Sequence, residues 1–152
     1  MRLIGAAELG VGPFKNFMSA SLQRISPLLQ VKDLQISLHF YTSILGFKEL
    51  WRDDGGFIIL SRDGCDLFLG ENQTNVDLRN VTARATNKWF ASYDIHIHCA
   101  PGTIDNLWKE FNDAGASMPD AFASGPVDRD YGVRDFSILD PDGYQIVFGS
   151  PI

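Results

Sequence analysis

The run Tyr93-Asp94-Ile95-His96-Ile97-His98-Cys99 sets two imidazoles at i and i+2, with a carboxylate two residues before the first. In an extended strand alternate residues share a face, so Asp94, His96 and His98 would point one way and Ile95, Ile97 and Cys99 the other, against a helix. Nitrogen and oxygen donors grouped this way can hold zinc or iron. The same pattern also describes polar strand residues held by hydrogen bonds, and a His-x-His pair alone is common. His39 falls in a helical stretch and reads as surface or packing. Asp66 and Phe68 repeat the two-residue spacing. A carboxylate beside a ring suits an ammonium or guanidinium group on an aromatic compound, and equally a solvated strand. Trp51, Phe57, Trp89, Phe90 and Tyr131 add rings on which a flat cationic or heteroaromatic group could stack at roughly 0.5–2 kcal/mol each. Core or dimer packing would use the same residues. Arg134 could clasp a ligand carboxylate or phosphate, or form a salt bridge between subunits. Asp128-Arg129-Asp130 reads as a mobile loop beside such a site. No nucleophile–base arrangement and no glycine-rich phosphate loop is legible.

The elements that must position these residues read as one short unit written twice. Residues 25–31 form an apolar strand. Asp33 caps a helix whose stripe is Leu34, Leu38, Tyr41 and Leu45, and Gly46 stops it. Strands follow at 49–52, 57–61 and 65–69, separated by Gly55-Gly56 and Asp63-Gly64. After a polar connector over 71–88, the second copy starts with the strand at 93–99. Pro101-Gly102 turns the chain, and Thr103 caps a helix carrying Ile104, Leu107, Trp108 and Phe111, which Gly115 ends. Later strands are expected at 121–124, 133–139 and 144–148. The last two are joined by Asp140-Pro141-Asp142-Gly143, where proline presets φ and glycine accepts positive φ. Each half has one helix for one face of its sheet, so the other face must meet a second half, another subunit or a ligand.

Composition narrows the choices. The chain has 152 residues, 45% of them hydrophobic and 21% charged, as in an ordinary globular domain. No apolar run approaches the ~18 residues that a membrane helix needs. The net charge of −6, with no basic stripe, disfavours nucleic acid; it suits a cationic small ligand, and equally describes an ordinary soluble surface. Cys65 and Cys99 give no disulfide framework; both lie in apolar strand-like runs, where a buried free thiol is usual, and this points to the cytoplasm. Residues 1–22 read as a leader without periodicity and without the pattern of a secretory signal, Met18 offering an alternative start. The domain is expected over 23–152, its two modules at about 24–70 and 92–150.

The repeated unit, Phe40-Tyr41-x-x-x-Leu45-Gly46-Phe47 and Asp140-Pro141-Asp142-Gly143-Tyr144 together resemble the vicinal oxygen chelate superfamily, over essentially the whole chain from Ile25 to Pro151. That group includes glyoxalase I, extradiol dioxygenases, fosfomycin-resistance enzymes and bleomycin-resistance proteins. The resemblance implies an α+β fold of two βαβββ modules forming a cupped mixed sheet. It also implies a divalent-metal site on the first and last strands of each half, which here falls at Ser26, Phe68, near Asp94 and at Val147. A hydroxyl, a phenyl ring and an isopropyl group are not ordinary ligands for such an ion. Within the superfamily the likeness is greatest to the bleomycin-resistance proteins, which lack the metal and sequester the antibiotic. It rests on Pro27, Phe40-Tyr41-Thr42, Asp66-Leu67-Phe68-Leu69, Gly125-Pro126, and Tyr131-Gly132-x-Arg134-x-Phe136 running into Asp140-Pro141. In those proteins a first-strand proline accompanies strand exchange between subunits, and the ligand crevices lie at the dimer interface. Tyr131 stands where they often have tryptophan.

The reading is therefore a homodimeric, metal-independent and cofactor-independent binder of a small, partly aromatic or cationic compound. Trp51, Phe57, Asp66, Phe68, His96, His98, Tyr131 and Arg134 are its expected ligand-binding residues. The alternative is a metal-dependent lyase, isomerase or ring-cleaving dioxygenase that uses Asp94, His96 and His98.

Overall fold

The computed structural model describes residues 24–72 and 93–152. The leader, most of the connector, and Trp89 and Phe90 lie outside the described residues. Two βαβββ modules are present. In the first, strand β1 (Leu28–Val31) leads to helix α1 (Leu34–His39), then β2 (Lys48–Arg52), β3 (Phe57–Arg62) and β4 (Cys65–Glu71). In the second, β5 (Ile95–His98) leads to α2 (Ile104–Asp113), then β6 (Val127–Arg129), β7 (Val133–Leu139) and β8 (Gln145–Pro151). Each module builds its own four-stranded mixed sheet, in the orders β1-β4-β3-β2 and β5-β8-β7-β6. The first and last strands of each half pair in parallel at one end of the sheet.

Asp33 caps α1 as its type predicts, its Oδ1 accepting from the N–H groups of Gln35 and Ile36. The helix does not stay α-helical to its end. Residues Phe40–Ile44 form a π turn, in which the Leu45 N–H donates to the Phe40 carbonyl. The Thr42 hydroxyl takes the Leu38 carbonyl at 2.7 Å, the acceptor that its own N–H would use in an α-helix. The wider turn accompanies burial of both Phe40 and Tyr41, neighbours that a regular helix would send to different sides. Gly46 ends the segment at φ +69°, and a Cβ there would lie 3.0 Å from the Arg62 guanidinium, so both backbone and space favour glycine.

Three local expectations are corrected. Thr103 sits at the N-cap of α2 but makes no capping bond; its hydroxyl donates to the Ala100 carbonyl, which the Pro101-Gly102 turn brings within 2.7 Å. Residues 121–124 are not a strand. Asp120–Phe122 form a 3-10 turn that buries Phe122 and offers its carbonyl to the Trp108 indole N–H, so tertiary packing overrides the apolar pattern. Val127–Arg129, read as part of a mobile loop, is instead the edge strand β6, paired with β7.

The helix-side faces of both sheets merge into a single core. Leu29, Val31, Ile58, Leu60, Leu67 and Leu69 come from the first sheet; Phe136, Ile138, Ile146 and Phe148 come from the second. Several polar links cross between the modules, two of them prominent. The Arg62 guanidinium on β3 donates to the Leu45 carbonyl and to Glu110 of α2, and lies over the Phe111 ring. The buried Tyr41 hydroxyl donates to Asp140 at 2.9 Å, and the other oxygen of that carboxylate accepts from the N–H groups of Asp142 and Tyr144. Burial pushes the Asp140 carboxyl above its usual range, against its hydrogen bonds. Burial and that carboxylate together push the Tyr41 phenol well above its ordinary value, so it stays a donor at neutral pH. Tyr41→Phe is expected to lower unfolding stability in urea by about 1–3 kcal/mol, the cost of removing a buried bond to a charged acceptor.

Candidate functional site: two open sheet faces and the cavity between the modules

With one face of each sheet turned to the core, strand register decides what the other faces present. On the first sheet, Leu28 lies beside Phe68, Phe68 opposite Ile59, and Ile59 opposite Trp51, so one apolar row crosses all four strands. Phe57 adds a second ring. Its centroid is 6.3 Å from Trp51 and 5.5 Å from Phe68, both in inclined, edge-on arrangements. Leu28 and Trp51 are each 52% exposed. Asp66, opposite Ser61, lies on the same face one step along β4. The Ser61 hydroxyl and the Arg24 guanidinium hold its carboxyl below the usual range, so it is ionised at neutral pH.

The second sheet presents a different chemistry. His96 lies beside Val147 and His98 beside Gly149, and across β8 those two pair in turn with Ser137 and Asp135 of β7. The two imidazoles stand 4.6 Å apart, and Tyr93 meets His96 edge-on at 5.7 Å. Asp135 is buried, and Arg129 grips both of its oxygens. The Gln145 amide donates to the buried Ser137 hydroxyl. His96, Arg129, Asp135, Ser137 and Gln145 line, with Tyr131, an open cavity of about 670 Å³.

A second cavity, of about 310 Å³, lies between the modules. Arg24, Pro27, Asp66, His96 and His98 line it, against apolar walls that include Phe47 and Ile97. The structure therefore brings Asp66 together with the histidine pair, and His96 together with Tyr131. Trp51, Phe57 and Phe68 form their own ring cluster on the open face beside Asp66. Arg134 joins none of these groups: it lies on the helix side of β7, and Asp105 and Asp128 bind its guanidinium. An internal partner at that spot uses up the donors that the sequence reading had assigned to a ligand or to another subunit.

Asp94 separates from the histidines in role, because its carboxylate accepts from the Gln145 backbone N–H and so fixes the start of β8. The residue that faces Val147 across β5 and β8 is His96, not Asp94. Phe68 and Val147 hold their expected places on the last strand of each half, paired with Leu28 and His96; Ser26 precedes β1, so Leu28 and not Ser26 is the first-strand residue that faces Phe68. These residues give no donor set for a divalent ion. Among the described residues no three His, Cys, Asp or Glu side chains are grouped to hold a metal. Of the two thiols, Cys65 is exposed rather than buried and Cys99 is half-buried; both are unpaired. Arg129, Asp135, Ser137 and Gln145 were missed as site residues. The alternation of β7 could have found two of them, since Asp135 and Ser137 must point away from the apolar Phe136 and Ile138. The same alternation puts Arg134 on the side of those two residues.

His96 is held tightly. Its Nδ1 is buried with no hydrogen-bond partner among the described residues, and a Cβ on Gly149 would come within 2.9 Å of its Nε2. Desolvation, then the neighbouring His98, push its pKa below the ordinary histidine value, and Asp135 opposes them.

Comparison with known proteins places this geometry. The family model of the Glyoxalase/Bleomycin resistance protein/Dioxygenase superfamily matches residues 21–148. The chain belongs to that superfamily. No curated protein matches it by sequence. Among solved structures it is similar to a glyoxalase/bleomycin resistance protein/dioxygenase from Alicyclobacillus acidocaldarius, with TM-score 0.65 and 18% identity over 86% of this chain and 92% of that one. It is similar to the bleomycin-binding protein of bleomycin-producing Streptomyces verticillus, solved with copper(II)-bleomycin, with TM-score 0.60 and 22% identity over 88% and 99%. It is also similar to a lactoylglutathione lyase from Agrobacterium tumefaciens, with TM-score 0.58 and 14% identity over 86% and 95%. At these identities the likenesses establish the glyoxalase/bleomycin-resistance fold. Among the described residues no helix is long and apolar enough to cross a membrane.

The lowered pKa of His96 has a measurable sign. The unfolded chain takes up the proton first, near pH ~6.5, so folding stability falls as pH drops below that value towards the lower folded pKa. Urea melts between pH 7.5 and 5.5 are expected to show this loss. His96→Asn should flatten the slope, leaving the remainder to other groups.

Proposed function

We propose that this superfamily member is a metal-independent binding protein that sequesters a small, partly aromatic, cationic compound, as in bleomycin-type resistance. One observation carries the reading: where the superfamily would seat metal ligands, the paired strands present Leu28 with Phe68 and His96 with Val147. That surface is apolar, with one imidazole. It encloses and stacks rather than polarising a bond. The Trp51–Phe57–Phe68 cluster is the stacking platform, Asp66 takes the positive charge, and His96, His98 and Tyr131 supply polar recognition. Enclosing about 300 Å² of ligand apolar surface would contribute on the order of 7 kcal/mol before association costs. The bleomycin-binding protein of Streptomyces verticillus, similar in fold, supports the ligand class.

The Leu28 end of the apolar row on the first sheet is further proposed to meet a second copy of the chain, leaving the Trp51–Phe57–Phe68 platform to the ligand, since Leu28 stands half exposed. A cytoplasmic location is supported by the two unpaired cysteines. The competing reading, a lyase or dioxygenase centred on Asp94, His96 and His98, has the likeness to lactoylglutathione lyase in its favour. Against it stands the engagement of the Asp94 carboxylate with β8.

Calorimetric titration with bleomycin should release heat at micromolar protein, and Trp51→Ala should weaken binding about 3–10-fold, the worth of one stacked ring. A folded protein giving no heat, or one that retains a stoichiometric transition metal after purification and loses it in His96→Ala, would sink the proposal. Light scattering is expected to give twice the 16.9 kDa chain mass. A monomer at tens of micromolar would rule out the dimer.

A further inference from the structure

The acidic residue best placed to hold a ligand cation already holds one from its own chain. Arg24 Nη1 lies 3.1 Å from the Asp66 carboxylate, and both residues line the cavity between the modules. Among the described residues Asp66 is the only acidic side chain on that wall; besides Arg24, the histidine pair, Tyr41 and Cys65, the lining is apolar. The two partners are unequally anchored. Asp66 sits on a central strand between β1 and β3, its side chain only 20% exposed. The Arg24 side chain is 65% exposed on the segment leading into β1, next to Ile25, which is 94% exposed. An ion pair of this kind holds weakly, because water and salt screen it and a long side chain must be ordered to make it.

We propose that Arg24 is a built-in competitor. Its guanidinium occupies the cation subsite of the cavity between the modules, and an arylamidinium, arylguanidinium or arylammonium ligand binds by displacing it from Asp66. The inference rests on the binding reading above and makes it more specific. The ligand's charge sits on Asp66, and its apolar body fills the space against Phe47 and Ile97. Arg24 swings out to solvent. A neutral ring of the same shape cannot replace the charge pair and must bind beside it with Arg24 in place, so Arg24 opposes cations alone while Asp66 favours them over their neutral isosteres.

The test compares benzamidine, a cation at neutral pH, with neutral benzamide, by amide chemical-shift titration of the full chain. Wild type should bind benzamidine more tightly. Arg24→Gln should tighten benzamidine by about two- to fivefold, as expected for removal of an exposed ion pair, and leave benzamide unchanged. Asp66→Asn should erase the preference between the two probes. Because Arg24 is exposed, its replacement tests the idea without risk to folding, and the amide spectrum reports the fold of both variants. Equal binding of the two probes to wild type, or benzamidine affinity unmoved by Arg24→Gln, would overturn the competitor while leaving the cavity a ligand site. Binding of neither probe would remove the cavity as a cation site, and with it this inference, while the bleomycin titration decides the binding reading separately.

Discussion

A single buried hydroxyl–carboxylate contact organises this chain. Tyr41 comes from the helix of the first module and Asp140 from the last turn of the second, 99 residues apart, yet they meet at 2.9 Å in the core. The turn holding Asp140 is closed by that same side chain, whose other oxygen accepts two backbone N–H groups. A buried carboxylate left short of donors is costly, so the turn, the helix and the gap between the modules must keep their relation or lose that compensation. Asp142 tightens the knot by accepting from the Lys32 N–H, and Tyr144 by donating to the Gln30 carbonyl. Arg62 adds a second crossing through Leu45 and Glu110.

Because the helix-side faces are committed to one shared core, each sheet has a face left over, and duplication has not made the two alike. The first carries rings and a carboxylate paired with Arg24. The second carries imidazoles and buried polar groups satisfied by Arg129 and Gln145. Such a pairing of an apolar platform with a polar wall is suited to holding an amphipathic guest, since stacking and hydrogen bonding then act on different parts of it. The histidine pair lines the cavity between the modules, and His96 also faces the second sheet's hollow.

Much of this was legible from residue types and spacing. The strand–helix–strand repeat, the Asp33 cap, the helix stops at glycine and the Asp140 turn are local devices whose physics acts within a few residues. The face shared by His96 and His98, and that shared by Asp66 and Phe68, follow from strand alternation alone. What failed did so where distant groups intervened. The segment at 121–124 was drawn into a 3-10 turn by the Trp108 indole and the burial of Phe122. Thr103 found a better acceptor than the helix it precedes. Arg134 was captured by Asp105, 29 residues away, although the alternation of its own strand already pointed it toward that helix.

By itself, then, the order of residues determined most of the elements, which side chains share a strand face, and that Phe68 and Val147 offer no donor to a cation. These properties depend on backbone periodicity and on side-chain chemistry, both present in any local window. Only the assembled structure decided which charges are spent internally: Arg134 on Asp105 and Asp128, Arg129 on Asp135, Asp94 on the start of β8, and Asp66 on Arg24. Electrostatic partners are chosen by distance in space, and no periodicity along the chain encodes which oppositely charged groups folding will bring within a few ångströms.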